Sequence, residues 1–217
     1  MNFMERISED DPGVLKRAAE VLSAGGVVVV PTDTVYGLAC DAFNASAVEK
    51  LFLIKKRDRG KAIPIFVHDR MLLDQVVLLD EPVATILFNF WPGALTAVIL
   101  ARSIFPEALQ AGTPTVGVRI PNNSFILGLI GRMGRPLAVT SANKSGHGES
   151  THIVRVVNEF HEGAGPDLII DAGDLAENKP SIVVDCTKTP PVILREGGIS
   201  KSDFFAVASQ YFKPNNY

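Results

Sequence analysis

Hydrophobic and polar positions alternate between two periods along this chain. Val14, Leu15, Ala18, Val21 and Leu22 fall on one face at helical spacing. Asp10-Asp11-Pro12 ahead of them predicts an acidic cap with proline in the first turn, and Gly25 predicts the stop. The β-branched run 27–30 then reads as a fully buried strand, closed abruptly by Pro31. Asn44 or Ser46 is positioned to cap a second helix with Val48, Leu51, Phe52 and Lys55 on its inner face. A strand follows over 63–67, and Asp69 predicts the cap of a short helix. Asp80-Glu81-Pro82 opens another helix, carrying Val83, Ile86, Leu87 and Phe90, which Trp91-Pro92-Gly93 breaks.

Further strands are predicted over 95–100 and 115–120, a helix over 124–133 and a short buried strand over 137–139. A helix over 151–160 precedes three more strands, 168–171, 181–185 and 192–195. Ser200 with Asp203 reads as a capping box, and Ile199 with Phe204 as its hydrophobic staple. The tail 213–217 is expected to be loose. Helices and strands do not alternate regularly, and no repeat or low-complexity linker divides them. The expectation is a single α/β domain, residues 1–217, with a twisted mixed sheet and flanking helices.

Composition narrows the function classes. With 217 residues, 47% hydrophobic and 21% charged, the chain has material for a substantial core. A formal net charge of −3 argues against nonspecific nucleic-acid or membrane binding, so affinity for phosphate must come from a local cluster. The two cysteines, Cys40 and Cys186, make neither a disulfide framework nor a metal set; they suit a reducing cytoplasm and are expected to be buried thiols. The first ten residues lack the basic start and apolar run of a secretion signal, and no apolar run is long enough to span a bilayer.

Three places could carry chemistry. The segment Pro31-Thr32-Asp33-Thr34-Val35-Tyr36-Gly37-Leu38 sets uncharged hydroxyls and one carboxylate after a buried strand, where an open α/β sheet binds ligands. Thr140-Ser141-Ala142-Asn143-Lys144-Ser145-Gly146 is a second polar segment after a short strand. Between them, Lys55-Lys56-Arg57-Asp58-Arg59-Gly60-Lys61 holds five cations in seven residues. A helix C-terminus accounts for one or two of these. Five repel one another unless an anion lies between them, so a polyphosphate or an RNA backbone is indicated. The familiar glycine-rich phosphate loops are absent, so side chains must do more of the holding. Arg119 and Arg195 close two predicted strands. Each either pairs with a carboxylate (Asp33, Asp185 or Glu196) or grips a ligand carboxylate or phosphate. His68, His147, His152 and His161 share no metal-ligand spacing, and no Gly-x-Ser-x-Gly elbow marks a hydrolase.

In order, these segments resemble the YrdC-like family of threonylcarbamoyl-AMP synthases. The resemblance runs from Gly25-Gly26 to Gly197. It is carried by the Pro31–Leu38 segment, Lys55-x-Arg57, Trp91-Pro92-Gly93, Thr115-x-x-x-Arg119, Ser141-x-Asn143, Ser181 with Val183-Val184-Asp185, and Leu194-Arg195-x-Gly197. Each piece alone is weak; the ordered set is specific. It implies a large, basic, concave cavity on the sheet and an enzyme making threonylcarbamoyl-AMP and pyrophosphate from ATP, L-threonine and bicarbonate, for the threonylcarbamoyladenosine of tRNA. By that resemblance Thr34, Arg119 and Ser181 hold threonine. Lys55, Arg57, Lys61, Thr115, Ser141, Asn143 and Arg195 surround ATP, with the backbone at Val139 beside the adenine. Lys55 and Arg57 would stabilise the reacting phosphate, magnesium would come with the nucleotide, and a tRNA-modifying complex would receive the product.

The chain departs from the family pattern at Asp58, where proline usually stands, at Lys61, where asparagine is common, at Ile63-Pro64-Ile65, and at Ile182 in place of threonine. Nothing in the motifs names a general base; Asp33 could serve, or could orient its neighbours. Two other readings stay open. One is an RNA-binding module using the same concavity without catalysis, which the few aromatics (7%) disfavour. The other is a different carbamoyl-adenylate activity, as in hydrogenase maturation proteins, which are much longer chains.

Overall fold

The computed structural model describes residues 4–102 and 104–211, so the tail expected to be loose lies outside it. Along the chain the elements are β1 (Glu5–Ser8), α1 (Val14–Ser23), β2 (Val28–Val30), β3 (Gly37–Asp41), α2 (Ala45–Lys55), β4 (Ile65–Phe66), α3 (Arg70–Val76), β5 (Val77–Leu78), α4 (Glu81–Phe88), β6 (Leu95–Ala101), α5 (Glu107–Gln110), β7 (Thr115–Arg119), α6 (Ser124–Met133), β8 (Leu137–Ser141), α7 (Ile153–Glu159), β9 (Leu168–Asp171), β10 (Ile182–Asp185), β11 (Val192–Arg195) and α8 (Lys201–Ala208). The strands form one sheet in the order β1-β9-β2-β3-β8-β4-β7-β6-β10-β11, and β5 pairs with the last residues of β6. Parallel pairs (β1·β9, β2·β9, β4·β7, β6·β10) mix with antiparallel ones (β2·β3, β3·β8, β4·β8, β6·β7, β10·β11). The mixed sheet expected from the sequence is therefore present.

The sheet's centre is its driest part. Every residue of β2 and β3 is buried, which fits the unbroken apolar run in β2. The buried face of α1 (Val14, Ala18, Ala19, Val21, Leu22) packs against α6 and β9. Asn44 caps α2 by accepting from the Ala47 amide (3.1 Å), and Asp69 caps α3 by accepting from Leu72 (2.8 Å). Ser200 accepts from the Asp203 amide (3.1 Å) at the start of α8, above a buried Phe204.

Several local expectations need correction. Asp10 and Asp11 do not cap α1; the cap position is Gly13, whose amide donates to Asp11 Oδ1 (2.7 Å) in a turn that precedes the helix. The Asp203 carboxylate accepts from the Ser200 hydroxyl (2.6 Å), so the reciprocal half of the capping box is not made. The segment after β2 is not wholly a loop, because Gly37 and Leu38 already belong to β3. Strands β1 and β5 and helix α5 carry too few residues to print a period. Cys40 is buried, with burial pushing its thiol well up; Cys186 is only partly covered, its thiol raised to about 12 by burial and then by Asp185.

Candidate functional site

Across the face of the central strands lies a cavity of about 170 Å³ whose wall includes Thr34, Arg57, Arg119, Ser141, Ser181 and Arg195. Its position follows from register. Side chains two apart on a strand share a face, so Thr115, Gly117 and Arg119 of β7 look the same way, as do Pro64 and Phe66, and Val139 and Ser141. Antiparallel β4·β8 pairing sets Phe66 opposite Leu137, which carries Ser141 toward the far end of the ladder from Arg119. The cavity therefore runs over the sheet's face. It does not sit at the carboxyl edge of parallel strands, as the first polar segment suggested.

Arg119 is the most constrained group in the wall. It is buried, yet all its nitrogens find partners. Nη2 donates to Asp33 Oδ1 (2.7 Å), Nη1 to Thr34 Oγ1 (3.4 Å) and Nε to the Gly93 carbonyl (2.9 Å), while the guanidinium lies 5.4 Å over the Phe66 ring. Burial draws its pKa down, and the Asp33 charge and hydrogen bond oppose this. Asp33 Oδ2 in turn accepts from the Asn122 amide (3.0 Å), so this carboxylate orients the arginine and is fully engaged. The Trp91-Pro92-Gly93 motif has a local reason here: a Cβ on residue 93 would sit 2.4 Å from the Phe90 carbonyl oxygen, so only glycine turns its own carbonyl to Arg119.

Thr34 is set by its own loop. Thr32 Oγ1 donates to the Val35 carbonyl (2.6 Å) and accepts from the Thr34 and Val35 amides (3.1 and 3.2 Å), which winds the segment into a rigid turn. Tyr36 then anchors it, donating to the Gly173 carbonyl (2.6 Å) and accepting from the Ala172 amide (3.0 Å); burial raises its phenol to about 12. Opposite, Ser181 Oγ lies 2.9 Å from Thr96 Oγ1, and Arg195 Nη2 donates to the Ser181 carbonyl (2.8 Å) and hydroxyl (3.1 Å). Gly197 makes that approach possible, since a Cβ there would meet the Ile182 nitrogen at 2.2 Å. Asp185 instead closes its own turn with Thr187, and Glu196 pairs with Lys201. Arg195 thus has no carboxylate partner among the described residues.

The basic run disperses. Lys55 turns inward from the end of α2, and its ammonium donates to the Ser141 carbonyl (2.7 Å) and hydroxyl (3.2 Å), and to the Asn143 carbonyl (3.0 Å) and Oδ1 (3.0 Å). It ties the two halves of Ser141-x-Asn143 from behind and is not part of the cavity wall. Burial, then the charge of Arg57, lowers its pKa to about 8. Arg57 reaches the cavity while donating back to the Lys61 and Ala62 carbonyls (3.0 and 2.9 Å); burial lowers its pKa and the Asp58 charge opposes that. Arg59 pairs with Glu49, and Lys56 and Lys61 are exposed away from the wall. Thr115 shares Arg119's face but stands four positions away, roughly 13 Å along the strand, bonded to Thr113 (2.9 Å). Asn143 lines an adjoining cavity of about 380 Å³.

The structure thus gathers Thr34, Arg57, Arg119, Val139, Ser141, Ser181 and Arg195, keeps Lys55 and Asn143 just behind them, and leaves Lys61 and Thr115 apart. Sequence reasoning missed Thr96, Phe66 and Glu149, all in the wall. Thr96 had a signal, as the one hydroxyl in an apolar strand, and so did Glu149, as the one carboxylate in a glycine-flanked loop.

Three guanidiniums and a ring of hydroxyls around one hollow give this α/β protein a site whose charge suits a carboxylate or a phosphate. The Sua5/YciO/YrdC family model, described as "Telomere recombination", matches residues 20–197, and the chain belongs to this family. It is 35% identical over 202 residues to the threonylcarbamoyl-AMP synthase of Pyrococcus abyssi, covering 92% of this chain and 57% of that protein. To the threonylcarbamoyl-AMP synthase of Bacillus subtilis it is 34% identical over 212 residues, covering 95% of this chain and 60% of the relative. Among solved structures, P. abyssi Sua5 complexed with L-threonine superposes with a TM-score of 0.87 at 32% identity, covering 94% of this chain and 60% of that one. Escherichia coli YciO gives 0.83 at 28% identity, covering 94% of this chain and 100% of that one. The chain therefore spans about three-fifths of the length of the two synthases.

Proposed function

We propose that this chain is an L-threonylcarbamoyladenylate synthase, a nucleotidyltransferase using ATP, L-threonine and bicarbonate. The observation that carries this is the convergence of buried Arg119, Thr34 and Ser181 on the same hollow as Arg57 and Arg195. Arg119 offers a preformed fork for the threonine carboxylate, and the hydroxyls of Thr34, Thr96 and Ser181 suit its small polar side chain. The carbon dioxide adduct of the threonine amine, an N-carboxylate, would attack the α-phosphorus of ATP, and pyrophosphate would leave. Arg57 and Arg195 would spread the charge of that phosphate in the transition state, with Lys55 holding the Ser141 and Asn143 backbone in place. The described residues contain no group of three or more His, Cys, Asp or Glu side chains able to hold a metal. Magnesium would arrive on the triphosphate, held by phosphate oxygens and water. A cytoplasmic location is part of this proposal. No described helix is long and apolar enough to cross a membrane. The product would pass to a separate tRNA-modifying complex.

The test is pyrophosphate release from ATP by the purified protein, with and without L-threonine and bicarbonate, with mass detection of the adenylate. Release that requires both, with the mass of threonylcarbamoyl-AMP, supports the synthase. ATP binding without threonine-dependent release rejects it in favour of another carbamoyl-adenylate activity. Salt-sensitive RNA binding without turnover rejects it in favour of an RNA-binding module.

A further inference from the structure

A hollow of about 910 Å³ lies on the reverse face of the sheet and shares no wall residue with the one that holds the arginines. Register separates the two. Arg6 pairs with Ile169, Ile169 with Val29 and Val29 with Leu38, so these four share one face. Gly37, next to Leu38, pairs with Ser141 on the other face. Arg6 and Ile169 line the reverse hollow, where α2 adds Leu53 and Ile54 and α7 adds Val157 and Phe160.

Its volume falls within the usual ligand-pocket range of roughly 300–1,000 Å³. Three buried side chains, Ile54, Phe160 and Ile169, make its floor, and Met4, Leu53 and Val157 stand above them. Leu53 is 66% exposed, although Phe52 and Ile54 beside it are buried, so its isobutyl group is left in water at the hollow's edge. The loop along one side, 163–166, is Gly-Ala-Gly-Pro, and these small side chains leave the space above the floor open. A Cβ at position 165 would meet Met4 Sδ at 3.1 Å and the Phe160 carbonyl oxygen at 3.3 Å, so glycine lets the loop stand close to both.

The charged groups of the wall have only donors to spare. Asp167 is the one carboxylate among the described wall residues, and it is already engaged. Its two oxygens accept from Lys50 Nζ (2.6 and 2.7 Å), and Oδ2 also accepts from the Val27 amide (2.7 Å). Lys50 keeps one N–H unused. Arg6 donates from Nε and Nη2 to Asp171 Oδ2 (3.0 and 2.6 Å), which leaves Nη1 unused. The exposed His161 ring, which pairs with nothing among the described residues, can donate another. An apolar hollow with surplus donors and no spare carboxylate complements an apolar body that carries one anionic head. We infer that this hollow binds a hydrophobic carboxylate, with its hydrocarbon over Ile54, Phe160 and Ile169 and its head at Arg6, Lys50 and His161. The inference does not depend on ATP or threonine being a substrate.

The experiment titrates octanoate and 2-naphthoate, each beside its alcohol (octan-1-ol and 2-naphthalenemethanol), into the wild-type chain by calorimetry, with and without saturating L-threonine. One of the acids should bind about tenfold more tightly than its alcohol, whether or not threonine is present. The acid preferred tells an acyl ligand from an aromatic one. Leu53→Glu sets a like charge at the hollow's edge from an exposed position, so the fold should stand while the acid binds about tenfold more weakly. Arg6→Met, which removes only a partly exposed ion pair, should bring acid and alcohol to within about threefold of each other. Equal binding of acid and alcohol by wild type overturns the inference, as does binding of none of the four compounds or undiminished binding by Leu53→Glu. Displacement of the acid by threonine, or its loss in Arg119→Ala, also overturns it and places the carboxylate at the arginine of the first hollow. A concentration-dependent dimer that Leu53→Glu disperses overturns it as well, and assigns the reverse hollow to a second copy of the chain.

Discussion

The cavity has two walls, built in opposite ways. On one, Arg119 is held by Asp33, Thr34 and the Gly93 carbonyl before any ligand arrives, with two of its five N–H donors left over for a ligand. On the other, a dense run of cations sends only Arg57 to the cavity. Lys55 goes behind it, Arg59 to Glu49, and Lys56 and Lys61 to solvent. Charge density in sequence was thus a poor guide to charge at the site. A lone arginine ending a strand proved the better one, because a guanidinium that follows a buried strand must find fixed partners or stay unfolded.

The largest effect should come from breaking the first wall. Arg119→Ala leaves the half-buried Asp33 carboxylate without its ion-pair partner and removes the fork, and threonine affinity should fall about 100-fold. Arg119→Lys should recover little, because an ammonium cannot reach Asp33, Thr34 and Gly93 together. Threonine titration with and without ATP checks both variants; retention of affinity in Arg119→Ala would remove the carboxylate fork from the scheme.

Next comes Lys55→Met, which strips the donor from the Ser141 carbonyl, the Asn143 carbonyl and Asn143 Oδ1. The expected cost is about 3 kcal/mol, a drop of roughly 6–12 °C in melting temperature for a chain of this size. Its titration sharpens the point. In the folded chain burial lowers the Lys55 pKa to about 8 from the ordinary lysine value of 10.5. Between these values the unfolded state binds the extra proton, so the Lys55 contribution to stability rises as pH rises through that window and is at its lowest below the folded pKa. Ligand attraction runs the other way, since the charge is lost above about pH 8. Wild-type ATP affinity should weaken above that pH, and Lys55→Met should flatten the profile.

Arg57→Ala should weaken ATP binding about tenfold while leaving threonine affinity within twofold, as expected for loss of one partly exposed phosphate contact. The smallest effect is expected for Lys61→Ala, under twofold on either ligand. A tenfold loss there would show that the basic run acts as a unit on the ligand, and the contrast between the two walls would be wrong.

Much of the site was legible because its residues are punctuated locally. A proline after Val30, a glycine after Trp91-Pro92 and a glycine after Arg195 are marks of backbone turns, and turns expose the groups beside them. The inward turn of Lys55 was half legible, since it falls on the apolar face of α2, yet its partners are Ser141 and Asn143, far away in sequence. Thr96 stood out as the one hydroxyl of an apolar strand, but its meaning depends on Ser181 across the β6·β10 pair. Glu149 stood out as the carboxylate of a glycine-flanked loop, but only the fold sets that loop at the edge of the cavity.

By itself the sequence determined the elements whose apolar residues repeat at 3.6 or lie in unbroken runs, the caps at Asp69 and Ser200, the α2 cap as one of Asn44 and Ser46, and the family, through motifs kept in order. Those depend on interactions within a few residues, where a short stretch of chain contains both partners. Only the tertiary structure decided that Asp33 grips Arg119, that Arg195 grips Ser181, and that the cavity crosses the sheet's face. Strand order and register set those distances. They come from the packing of the whole sheet, where each pairing depends on the strands beside it, and no local period encodes that.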